Sequence, residues 1–523
     1  MSRTLTPLSK ALVSSYDKDY SEHHDQTISV NPLVAELASW YEKLRTAMDY
    51  RDDEVILRSA IERILKRRLL LGGNGQTIAA PLLRELVWAR YFPDSSIPEI
   101  TIDKVSATID LFLKLEEEIN EKHRINKNTV YEWILHLLSS EIEYILKPDN
   151  HKDLMSNYVY HIFKERIQIE DDTEEVKNIQ TFIAVRRSYA NDDLPFLRYH
   201  LFLQYFGKLT PHNFAATATH FMEGYRKIQE QLNYPLKNKL FVYVDSQKIP
   251  FLILDDILKK NQGRIASLMS DEDQMNLAVL NACSERYKSV KERVRRAIIR
   301  SVIFIFFTKA LFALFIEGAF ENLVFGRVIW SSIILNTLTP PLLMVGVGLF
   351  IQTPSRDNSF KIQRKINSVL FDENPQLENP LLVRKKIKKI DPILWSLFII
   401  FWLATFAVSF GALIFILTKL RFNPISQGVF IFFIAIVSFI SYRINRTANM
   451  YLVKDGKENL TSLLTDFFFM PFIQVGRRLT LAVSQINIIL FIIDFIIEAP
   501  FKGIFAFFEQ WLLFLRTQRE KLD

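Results

Sequence analysis

Cysteine is nearly missing from this chain: Cys283 is the only one in 523 residues. A single thiol excludes an intrachain disulfide and any cysteine-rich zinc site, and it fits a reducing compartment for the part that carries it. Histidine is missing from the second half, because all nine lie at or before His220. A histidine proton relay inside the later apolar runs is thereby excluded. Residues 1–31 lack the apolar core of a secretory signal, so the N-terminal half is expected to stay on the side of synthesis. The signatures of serine hydrolases, protein kinases, dinucleotide-binding folds and zinc proteases are also missing. Helix-turn-helix, zinc-finger and RNA-binding patterns do not occur either. The sequence therefore leans away from an enzyme, calls for no cofactor and no metal, and gives no support to nucleic-acid binding.

What is present is sharply partitioned. Residues 1–296 read as a charged, soluble chain, whereas long runs of Ile, Phe, Leu and Val follow at 297–316, 327–351, 393–418 and 427–442. A bilayer's apolar core of about 30 Å takes about 20 helical residues. The fold class expected is therefore all-α: a helical domain at 32–296 after a flexible tail at 1–31, then a multi-pass membrane domain. Four spans are expected within 297–442, or five if 481–499 also crosses. The acidic stretch at 170–176 is a candidate subdivision of the helical domain. One strand-like segment, Leu240–Val244 followed by Ile249–Leu254, reads as a short hairpin.

The net charge of +7 sits beside the apolar runs. Arg295 and Arg296 precede the first run, and Arg384, Lys385, Lys386, Lys388 and Lys389 precede the third. The positive-inside rule then places the N-terminal domain, the basic loop at 352–392 and the segment 443–478 on the cytoplasmic side. These seven basic residues are the candidate contacts for anionic lipid headgroups. Residues 479–517 are apolar but carry Asn487, Asp494, Glu498, Lys502 and Glu509 along one arc. That stripe reads as an amphipathic helix lying on the membrane rather than crossing it.

Lys309 lies near the centre of the first run, where a charge needs a partner. Glu317 is eight residues on, about 80° around an ideal α-helix, so the expected partner is Asp494 or Glu498. Two readings compete: a path for an ion, proton or lipid headgroup, and a single ion pair locking helices together. In the second run Asn336, Thr337, Thr339, Pro340 and Pro341 combine hydroxyls and an amide with two missing backbone donors. A broken helix of this kind can coordinate a cation; a kink satisfied by neighbours is the plainer reading. Gly72–Thr77 lacks the lysine of a phosphate loop and reads as a helix stop. Glu132/His136, His161/Glu165 and His220/Glu223 have ligand-like spacing but no third ligand, which fits solvated helix faces.

These features favour a non-catalytic membrane anchor or scaffold that presents its cytoplasmic helical domain to a protein partner, with oligomerisation open. The alternative is a transporter or channel component using Lys309, Asn336, Asp494 and Glu498, with Glu317 in the same intramembrane polar network.

Overall fold

The computed structural model describes residues 4–16, 27–28, 30, 35–36, 38–39, 42, 56–123, 126–148, 150–319, 322–323, 326, 330–375, 377, 379–385, 391–420, 422–453 and 460–484, with isolated positions at 507, 510–511 and 514–515. Helix accounts for 79% of it and strand for 2%, which makes the class all-α. The chain divides into two compact units, one comprising the described residues up to Ser267 with 370–385, the other beginning at Leu268.

In the first unit α1 (Pro7–Tyr16), α2 (Ile56–Leu69), α3 (Gly75–Trp88), α4 (Ile100–Lys122), α5 (Lys127–Leu146) and α6 (Asn150–Lys164) come first. Strand β1 (Ile167–Glu170) is followed by α7 (Glu174–Ser188), α8 (Leu194–Phe206), α9 (Phe214–Leu232), α10 (Lys237–Asp245) and α11 (Ile249–Lys260). The apolar stripes of α2 to α5 and α7 to α9 converge on one core that includes Ile61, Leu65, Leu82, Ile109, Trp133, Leu138 and Phe202. The turn from α2 to α3 shows how locally this is written. Gly72 adopts φ +80°, which suits glycine, and Asn74 then caps α3 by accepting from Thr77 N while Thr77 Oγ1 accepts from Asn74 N. The Gly72–Thr77 segment is thus a helix connection.

Three expectations change here. Residues 7–16, expected in a flexible tail, form α1, because Leu12, Val13 and Tyr16 bury one face and the Tyr16 hydroxyl donates to Asp255 Oδ1 at 2.6 Å. The hairpin expected at 240–254 is two helices. Leu240, Tyr243 and Val244 recur at helical spacing and are buried, so packing overrides the β preference of Val and Tyr. The strand that does form pairs β1 in parallel with β2 (Leu381–Arg384), Ile167 opposite Leu381 and Glu170 opposite Arg384. The basic loop at 352–392 accordingly contains a strand, and also a helix.

The second unit starts with α12 (Ile265–Ser270), whose last residues it includes, and α13 (Glu272–Phe312). The last continues without a break as one π-helical segment, Ala313–Gly318. Then come α14 (Trp330–Phe350), α15 (Arg356–Phe371), α16 (Pro392–Lys419), α17 (Pro424–Ala448) and α18 (Leu460–Ser484). Three of the described helices are long and apolar enough to cross a membrane: Glu272–Gly318, Pro392–Lys419 and Pro424–Ala448. That is fewer than the four or five expected. The second expected span yields a shorter apolar run, Asn336–Phe350, about 22 Å long at 1.5 Å per residue. The question of a crossing at 481–499 lies outside the described residues beyond Ser484.

Contacts within this unit fix helix directions. Glu317 meets Asn336 and Ser426 at one end of α13, while Ile298 packs on Gly348 towards the other. Met344 of α14 touches Ser441 of α17. Hence α14 and α17 both run antiparallel to α13, and the basic stretches around Arg295 and Arg443 lie at a common end. Helix α18 folds back on α17, with Gly476 so close to Ala435 that a side-chain carbon there would sit 2.0 Å from the Ala435 carbonyl.

A buried polar site between three helices

The site forms where α13, α14 and α17 meet. Lys309 and Asn336 have no exposed surface and Glu317 has 1%. The Lys309 ammonium donates to Glu317 Oε1, Asn336 Nδ2 donates to Glu317 Oε2 at 2.6 Å, and Ser426 Oγ donates to the same oxygen at 3.4 Å. The Phe433 ring lies 5.2 Å beneath the ammonium. One carboxylate therefore gathers donors from three helices and is the hub of the cluster.

The π-helical segment brings the pair together. An α-helix would leave Lys309 and Glu317 about a quarter-turn apart. A π-helix bonds i to i+5 and so turns the chain less per residue. Between Ala313 and Gly318 it rotates Glu317 back towards the face of Lys309. Helical side chains lean towards the N-terminus, so Glu317 also points down the axis at the lysine. Removing either charge leaves the other unpaired among apolar helices, at a cost of about 3–5 kcal/mol.

Not every polar atom in the cluster is satisfied. Asn336 Oδ1 and Thr337 Oγ1 are buried and accept nothing. Pro340 and Pro341 lie four residues on within the continuous α14, so the Asn336 and Thr337 carbonyls lack their usual helical N–H donors. Two consecutive residues thus carry oxygens short of donors, next to a carboxylate whose only cation among the described residues is a tethered ammonium.

Of the residues singled out in the sequence, Lys309, Glu317 and Asn336 come together. Asp494 and Glu498 lie outside the described residues, and the lysine expected to reach them is held by Glu317. Ser426 was missed; its signal was a hydroxyl just inside an apolar helix, after the Asn423 cap. Arg295 and Arg296 are exposed on α13. Arg384 and Lys385 are engaged near the β1–β2 pair, Arg384 Nε donating to Glu170 and Lys385 Nζ to Asp172 at 2.9 Å. Lys386, Lys388 and Lys389 lie outside the described residues.

The first unit holds a second polar cluster that the sequence did not announce. Arg186 is buried and donates to Asp192 Oδ2 and Asp153 Oδ1, each at 2.6 Å, and contacts His200 Nε2 at the same distance. Asn191, at φ +53°, turns the chain so that Asp192 faces back onto α7. Burial alone would raise the Asp192 carboxyl, yet Arg186 and His200 hold it below the carboxylate range. The next residue, Asp193, accepts from Arg58, which also donates to Glu62. His136 meets Arg198 Nη1 at 2.7 Å, and burial, ahead of nearby charges, lowers it to about 4. Burial also raises Glu143 to about 7. Among the described residues no group of three His, Cys, Asp or Glu side chains is placed to hold a metal ion. His136 sits beside arginines, and Glu223 pairs with Lys227 at 2.8 Å.

Comparison with protein-family models, with curated proteins and with solved structures finds no match.

Proposed function

We propose that the protein is an ion-translocating membrane component, acting alone or in a larger assembly, in which Glu317 exchanges the Lys309 ammonium for a proton or a small monovalent cation. The observation that carries this reading is the buried Lys309–Glu317–Asn336 cluster beside the unpartnered Asn336 Oδ1 and Thr337 Oγ1. A charge pair inside apolar helices is costly and is kept where it serves passage or locking. A lock is best when every group is satisfied, whereas oxygens short of donors suit a visiting cation. The π-helical turn adds weight, since such segments gather at functional sites. The basic ends of the helices favour the cytoplasmic side for the N-terminal unit.

The test is flux. Purified full-length protein in liposomes, with trapped pH- and sodium-sensitive dyes, is expected to pass protons or sodium down an imposed gradient. Glu317→Gln should abolish that flux and Asn336→Ala should slow it. Liposomes no leakier than protein-free ones, for protons, sodium and potassium alike, would overturn the reading.

One observation favours a second reading, an anchor that presents the helical unit to a protein partner. Leu70 and Leu71, 61% and 85% exposed, form an apolar tip where α2 ends. Affinity capture with Leu70→Asp/Leu71→Asp as control separates the two: a partner lost from that variant, together with no flux, favours the anchor.

A further inference from the structure

The observation concerns Arg477 and Arg478, which the polar cluster does not use. Both are exposed, and neither has an ion pair or hydrogen bond among the described residues. Their depth is set by the residue before them. Gly476 lies against Ala435 and Phe439, so tightly that only glycine fits. Ala435 stands eight residues from Arg443, about 12 Å along the axis, and eleven from Pro424, about 16 Å. The backbone of both arginines therefore lies level with the middle of an apolar helix long enough to span a membrane. That is deeper than side chains at helix ends cover by reaching to the interface.

Among the described residues, nothing packed against them neutralises them. Helices α16 and α17, the two that α18 packs on, contain no Asp or Glu. The one acid on α18, Asp466, is eleven residues away, about 16 Å. Gly476 and Phe472 take the packed face, with Phe472 against Phe410 at 4.6 Å between ring centres. Gln474, Arg477 and Arg478 are left as a polar step on the outward side, beyond the exposed Phe467, Phe468 and Phe469.

We propose that Arg477 and Arg478 hold the phosphate of an anionic phospholipid, drawn below the headgroup plane along the outer face of α18. Charges this deep in a bilayer are tolerated by local thinning and by water and headgroups pulled inward. The guanidinium fork matches phosphate in a bidentate way that an ammonium does not. Two adjacent forks, with the Gln474 amide one turn away, make a phosphate seat with no competing carboxylate among the described residues. A lipid is the favoured carrier because the seat opens outward from the apolar helices. This assignment is independent of the Lys309 site.

The experiment uses the full-length protein in nanodiscs of equal parts phosphatidylglycerol and phosphatidylcholine. The discs are dissolved in mild detergent and the retained lipid is measured by native mass spectrometry. Wild type is expected to retain phosphatidylglycerol over phosphatidylcholine by about tenfold, and Arg477→Gln/Arg478→Gln to lose that preference. Arg477→Lys/Arg478→Lys keeps the charge and should fall several-fold, which preserves the test if the glutamine variant misfolds. Arg443→Gln/Arg446→Gln, at the common basic end, should leave retention unchanged. Equal retention in wild type and in whichever Arg477/Arg478 variant folds would overturn the proposal. Displacement of the lipid by millimolar inorganic phosphate would overturn its lipid source. A change in oligomer size with unchanged lipid would place a second copy on this face and overturn it too.

Discussion

At the scale of single residues, the account turns on one ion pair whose partner the sequence left open. Lys309 declared itself by being the one basic residue in the middle of an apolar run, and Glu317 and Asn336 stood out as polar atoms near it. The pairing was not legible, because it depends on a local change of helix type that the seven intervening apolar residues do not encode. Double-mutant analysis tests the pair. Lys309→Met and Glu317→Gln should each lower stability by about 3–5 kcal/mol, and together by much less than the sum. Thermal unfolding in detergent measures this, and additive losses would mean the charges do not meet. In the helical unit two groups respond to pH with opposite sign. Glu143, raised to about 7 from 4.5, holds extra protons when folded, so its penalty grows as pH rises from 4.5 and is complete above 7. Glu143→Gln should therefore stabilise the protein at pH 8, by about 1 kcal/mol given its partial exposure, and do little near pH 4. His136, lowered to about 4 from 6.5, contributes stability above pH 6.5 that is lost as pH falls towards 4. His136→Gln should blunt that loss, and unfolding curves at stepped pH values would reveal identical slopes if neither group titrates this way.

At the scale of elements, periodicity carried the helices and local chemistry carried their ends. Within the helical domain expected at 32–296, the stretch from Ile56 to Lys164 forms α2 to α6. Local pattern failed wherever a partner distant in sequence decides. The stretch Leu240–Val244 looks like a strand until its buried face is known. The strand pair joins Ile167 to Leu381, more than two hundred residues apart, and neither four-residue piece announces itself. Most of helix α18 falls in the segment 443–478 expected on the cytoplasmic side, and its packing on α17 was legible only in Gly476, the small residue that leaves room for the Ala435 carbonyl. A substitution there tests the hairpin. Gly476→Leu has no room beside the Ala435 carbonyl and should cost about 1–3 kcal/mol by overpacking or unseat α18. Gly428→Leu on α17 meets nothing within 4 Å and should be tolerated. Size-exclusion profiles and melting temperatures that are alike for the two variants would show that α17 and α18 do not cross at this point.

At the scale of the whole molecule, the sequence separated a charged helical half from an apolar one, and the second unit contains each of the described helices long and apolar enough to span a bilayer. Its basic stretches lie at one end of the helices and the Lys309 cluster towards the other. That arrangement is the central claim, since both the ion site and the phosphate seat require α13 to cross a membrane. Cysteine accessibility tests it most directly. In a Cys283→Ala background, single cysteines at Lys288 and Asn322, both exposed and on either side of the apolar part of α13, are probed in intact cells or sealed vesicles with a membrane-impermeant thiol reagent. The account predicts labelling of Asn322→Cys from outside only and of Lys288→Cys from the cytoplasmic side only. Labelling of both from the same side would contradict it.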